Sequence, residues 1–108
     1  NFEVLNQAYG LALHEAGALL NEEGTFRTGA NWPTVWTRDI SYSTHLGLGL
    51  WNVRACMNSL NARVRNGEVE QDTGTGGSWP ISSDRVVWGL AAWEVYFLPS
   101  DGKDMHEG

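Results

Sequence analysis

Residues 40–65, from Ile40 to Arg65, read I-S-Y-S-T-H-L-G-L-G-L-W-N-V-R-A-C-M-N-S-L-N-A-R-V-R and contain no proline. As one helix at 1.5 Å per residue the stretch would be a rod about 39 Å long. The apolar pattern argues against a rod. Leu48, Leu50, Trp51 and Val53 crowd every side of a helical cylinder, whereas Val53, Met57, Leu60 and Val64 form one clean stripe. Gly47 and Gly49 lie just before that change, and each weakens a helix interior by about 1 kcal/mol relative to Ala. Two helices are expected, 40–49 and 53–65, with a turn between residues 48 and 53.

An internal repeat supports the break. Gly29-Ala30-Asn31-Trp32-Pro33 is echoed 47 residues later by Gly76-Gly77-Ser78-Trp79-Pro80. Each copy leads into a paired Arg and Asp, first as Thr37-Arg38-Asp39 and then as Ser83-Asp84-Arg85. A period of this size suits a repeated helical hairpin. If both copies cap equivalent positions, the chain must go out and back between them, which takes two helices.

Working outward, Phe2, Leu5, Tyr9, Leu13, Ala16 and Leu20 step by three or four residues, predicting a helix over 2–21 with one buried face and Gly24 as its stop. Thr25 to Thr37 has no helical period and reads as a loop, with a short extended piece around Phe26. A fourth helix is predicted over 84–98, with Val86, Leu90, Trp93 and Phe97 as one stripe and Val87, Ala91 and Leu98 beside it, so it should be interior. Pro99-Ser100-Asp101-Gly102 ends it, and Lys103 onward would start an outer helix. Widely apolar helices alternating with one-stripe helices are what a double-layered, all-α barrel requires. Asp72-Thr73-Gly74-Thr75-Gly76-Gly77 lacks the Lys-Ser/Thr ending of a phosphate-binding loop and reads as a pocket-rim loop.

Composition narrows the function classes. A formal charge of −6 opposes binding to a polyanion, so nucleic acid is not an expected partner. No run approaches the ~20 apolar residues of a membrane span. Cys56 is the single cysteine, which excludes an internal disulfide and suits a small buried hydrophobe. No two histidines or carboxylates have zinc-ligand spacing with a third ligand, so neither metal nor cofactor is expected. Six tryptophans offer flat apolar faces, each with one N–H donor, a combination that suits sugar rings; Trp51, Trp88 and Trp93, inside helical patterns, read instead as packing residues. The chain begins at Asn1 within a helical pattern and stops soon after a new segment opens, so it is expected to be a piece of a longer protein.

Trp36-Thr37-Arg38-Asp39 sits where a loop meets a predicted inner helix, and binding residues concentrate at such junctions. Asp39 can accept from vicinal hydroxyls while Arg38 donates to neighbouring oxygens. Equally, Thr37 or Asp39 can be an N-cap, with Asp39 favouring the helix terminus electrostatically. The same alternatives hold for Ser83, Asp84 and Arg85. His14 lies on a polar face and reads as solvated, whereas His45 reads as a hydrogen-bonded core histidine.

The segments G-A-N-W-P-T-V-W-T-R-D-I-S-Y-S-T-H-L-G-L-G-L (29–50) and D-T-G-T-G-G-S-W-P-I-S-S-D-R-V-V-W-G-L-A-A-W-E-V-Y (72–96) resemble the start of the (α/α)6 catalytic domain of six-hairpin glycosidases, a group that includes glucoamylases, trehalases, α-L-rhamnosidases and debranching-type enzymes. The resemblance covers nearly the whole chain. It implies a partial (α/α)6 toroid of about two hairpins with long loops on the pocket side, completed by the remainder of the catalytic domain. It further implies that Arg38 and Asp39 bind the non-reducing-end sugar of an oligosaccharide or glycoside and that Trp36 walls the pocket; the internal repeat, with its two Trp-Pro loops opening on one mouth, adds Trp32, Trp79, Asp84 and Arg85 to the same expected site. Such enzymes are inverting and exo-acting, with an acid and a base ~6.5–9.5 Å apart. Those two carboxylates come from later hairpins and match nothing in this chain. Two rivals are a phosphorolytic enzyme of related architecture, distinguished by phosphate dependence, and a non-catalytic carbohydrate-binding or scaffolding helical protein.

Overall fold

Asn52 breaks the 40–65 stretch. Its backbone leaves the helical region (φ −146°, ψ 79°), and its side-chain Oδ1 accepts the Ala55 N–H at 3.0 Å, starting a new helix. Asn is among the best N-cap residues because its short carbonyl reaches an otherwise orphaned amide. The computed structural model describes residues 1–72 and 83–98. Within them the chain is mainly helical: α1 (Phe2–Ala18), α2 (Thr37–Ser43), a π-helical turn (Thr44–Leu48), α3 (Gly49–Trp51), α4 (Val53–Asn61), β1 (Val64–Arg65), β2 (Glu68–Val69) and α5 (Asp84–Tyr96). The second Trp-Pro copy with Trp79, the loop after Asp72, the turn at Pro99 to Gly102, the segment from Lys103 and His106 lie outside the described residues.

The core lies where α2, α4 and α5 meet, and small side chains line much of it. Phe26, Ile40, Ala55, Cys56, Leu60, Ala91 and Val95 are buried together. Burial pushes the Cys56 thiol up, keeping it the uncharged apolar filler expected. The expected α4 stripe is only partly right. Leu60 is 2% exposed, but Met57 and Val64 each keep 37% of their surface, while Ala55, Cys56 and Ser59 face inward. Likewise α5 packs through Val87, Ala91 and Val95, leaving Val86, Leu90, Trp93 and Phe97 exposed. The physical reason is close helix approach: Ala, Cys and Ser let backbones come near, which turns the larger residues aside.

Helix α1 departs furthest from expectation. Asn1 Oδ1 caps it, accepting the Glu3 N–H at 2.8 Å, but none of its residues is buried, and Phe2, Leu5 and Tyr9 are exposed. Only its C-terminal end, through Ala16 and then Leu20, packs against the core. It also ends at Ala18 rather than near Asn21. The chain then turns, with the Gly24 N–H donating to the Asn21 carbonyl at 3.0 Å, and returns as the short extended piece at Phe26, bridged to Leu20. The Phe26 N–H donates to Ser59 Oγ at 2.8 Å, tying this loop to α4.

Two glycines do work no other residue could do without cost. At Gly49 an added Cβ would stand 2.9 Å from the Thr44 carbonyl oxygen, a backbone atom that cannot step aside. Gly49→Ala is therefore expected to cost about 1–3 kcal/mol, measurable by urea unfolding. Asn66 and Gly67 have φ of 54° and 78°, the pattern of a two-residue type I′ hairpin turn, and pair β1 with β2 in the register Val64↔Val69 and Arg65↔Glu68. Helix α4 accordingly ends at Asn61, not Arg65. Gly67→Ala should cost about 1–2 kcal/mol, since L-residues resist the left-handed region; an unchanged unfolding midpoint would contradict this turn.

Candidate functional site

The first amides of a helix have no partner within it. At the start of α2, Asp72 supplies one from across the chain. Its Oδ1 accepts the Thr37 N–H at 2.7 Å and its Oδ2 accepts the Arg38 N–H at 2.9 Å. A carboxylate here also gains from the positive end of the helix dipole. The sequence pointed to Thr37 or Asp39 as the cap, but Trp36 holds the N-cap position and makes no side-chain capping bond. Thr37 is instead fully buried, its hydroxyl donating to the Glu70 carbonyl at 2.7 Å and accepting from Arg63 Nε at 2.8 Å. Arg63 Nη2 also lies 3.6 Å from Asp72 Oδ1.

The same residue ties α2 to α5. The Asp72 N–H donates to Asp84 Oδ2 at 2.6 Å, and Asp84, in the first turn of α5, is wholly buried. Arg38 Nη1 stands 3.8 Å from Asp84 Oδ1, an ion-pair rather than hydrogen-bond distance. The N-termini of α2 and α5 therefore open side by side, joined by two internal carboxylates.

On the rim, Arg38 is partly exposed and Asp39 is exposed. Partial desolvation on the side facing the chain, then the Asp72 carboxylate, holds the Asp39 carboxyl above its ordinary range against the opposing pull of Arg38, although the residue as a whole is exposed. Trp36 donates its Nε1–H to Thr34 Oγ1 at 2.8 Å and meets Trp32 edge to face, with ring centroids 5.9 Å apart. Trp32 is 56% exposed. Arg85 turns away from this group: its Nε donates to the Val69 carbonyl at 2.9 Å, beside a shallow groove of about 390 Å³ lined by the hairpin. Of the seven residues singled out from the sequence, Arg38, Asp39 and Asp84 come together, Trp32 and Trp36 form a neighbouring aromatic pair, Arg85 points to the hairpin, and Trp79 lies outside the described residues.

Asp72 and Arg63 were not singled out from the sequence. Asp72 reads there as the opening of a Gly- and Thr-rich loop, and nothing local signals a cap for a helix 35 residues upstream. His45 is not a core residue. It is about half exposed, with Nδ1 2.7 Å from Glu94 Oε1 on α5, and an exposed pair of this kind is worth at most about 1 kcal/mol. Among the described residues, no three His, Cys, Asp or Glu side chains are grouped to hold a metal ion, and no helix is long and apolar enough to cross a membrane. No protein-family model, curated protein or solved structure matches the chain.

Proposed function

We propose that the joined mouth of α2 and α5 is a sugar-binding wall of a six-hairpin-type, inverting, exo-acting glycoside hydrolase, with the acid and base supplied from outside this chain. One observation carries the reading: Asp72 and Asp84 join the helices from inside, and the exposed Asp39 carboxylate stands at the mouth beside the half-exposed Arg38 guanidinium, which itself pairs with Asp84. Orienting a neutral, hydroxyl-rich ring needs such a pair, and the Trp32–Trp36 unit adds an apolar ring face close in sequence. The internal commitment of Asp72 and Asp84 also favours a second reading, a non-catalytic carbohydrate-binding helical protein.

Asp39→Asn tests both. The folded chain holds the Asp39 proton more tightly than the unfolded chain does. The stability linked to that proton is full below the unfolded carboxyl's pKa and is lost as pH rises through the raised folded value. Removing the ionisation should therefore leave the melting temperature at neutral pH unchanged or slightly higher, with the difference fading in acid. Against a glycoside panel, the full-length protein carrying Asp39→Asn should lose most of its turnover. A variant that melts early yet keeps its specific activity would assign Asp39 to folding instead. Sugar binding without hydrolysis in the unsubstituted protein would favour the non-catalytic reading.

A further inference from the structure

We propose that Asp72 is a positioning residue, aiming the Arg38–Asp39 pair by clamping the first turn of α2 and registering it against α5. This rests on reading the mouth as a sugar site. Water could satisfy the Thr37 and Arg38 amides one at a time, but it would not hold the turn in one place. Asp72 takes both amides with its two oxygens, at 2.7 and 2.9 Å, while its own N–H is committed to Asp84 at 2.6 Å. It is 5% exposed, so solvent offers little competition. Because the Arg38 amide is one of the two clamped donors, a shift of the cap moves the root of the Arg38 side chain and of Asp39 directly after it. The Arg63 guanidinium, bonded to Thr37 Oγ1 and 3.6 Å from Asp72, holds the clamp from its other side.

Asp72→Asn keeps the side chain's shape and one acceptor but removes the second acceptor and the charge. Two NMR readouts separate positioning from mere support: the amide signals of Thr37 and Arg38, and the titration of the Asp39 carboxyl, which senses the Asp72 and Asp84 carboxylates and the Arg38 guanidinium. In Asp72→Asn those amides should shift and the Asp39 midpoint should fall. Affinity for a panel of neutral methyl glycosides should weaken about tenfold, equivalent to ~1.4 kcal/mol. Val95→Ala, a core change three turns along α5 from Asp84, should lower stability and move none of the three. If Asp72→Asn does not fold, Arg63→Gln removes the supporting cation and should shift the Thr37 and Arg38 amides in the same direction. Unmoved amides and an unmoved Asp39 midpoint would overturn the proposal. If the unsubstituted protein binds no glycoside in the panel, the sugar-site reading fails, while the two NMR signals still decide whether Asp72 sets the geometry.

Discussion

Asp84→Ala is expected to destabilise the chain by on the order of 3 kcal/mol, because it strips a buried acceptor from a buried donor. The Asp84 side chain is wholly enclosed, and its Oδ2 is the acceptor for the Asp72 N–H. With that partner gone the amide loses its acceptor at a residue only 5% exposed, and the Asp72 cap on α2 loses its registration against α5. Arg38, being partly exposed, can turn to solvent, which limits the loss. For a domain of this size the change should lower the melting temperature by about 10–15 °C. Asp84→Asn retains an acceptor and should cost about half as much. A melting temperature for Asp84→Ala within a degree or two of the parent would mean that the carboxylate is not holding the helices together.

Leu60→Ala is expected to cost about 2–5 kcal/mol, the range for truncating a leucine in a packed interior. Leu60 is 2% exposed and touches the group built from Cys56, Ala91 and Val95. Its carbonyl also accepts the Trp88 indole N–H at 2.9 Å, so α4 and α5 are joined at this level by a directional bond as well as by packing. Collapse around the truncated side chain would tilt that bond, placing the cost above the lower end of the range. Equilibrium urea unfolding with an unchanged slope measures it. A loss under 1 kcal/mol would show that α4 and α5 meet elsewhere.

The break between the two central helices was legible because its signals are local. Glycines, a change of apolar period and a capping Asn all fall within a few residues of one another, and only the Asn52 cap was overlooked. The Asn66-Gly67 turn carries an equally local signal, but a helical pattern ending on Val64 masked it. Which faces are buried was harder to read. Periodicity marks the large apolar residues, whereas the helices meet through Ala55, Cys56, Ser59 and Ala91, whose small side chains give almost no pattern. The Arg38 and Asp39 pair stood out by its recurrence with Asp84 and Arg85. Asp72 did not, because a cap supplied from 35 residues away leaves no trace in the helix it serves.

A double-mutant cycle between Arg38 on α2 and Asp84 on α5, whose side chains stand 3.8 Å apart, tests most directly whether the two helix N-termini share one mouth. Urea unfolding of the parent, Arg38→Gln, Asp84→Asn and the double variant yields the coupling free energy. Side chains paired as these are should couple by more than about 0.5 kcal/mol, whereas independent sites add to within about that limit. Coupling above that limit is the expected result. Simple additivity would contradict a shared mouth and remove the geometric basis for placing a sugar there.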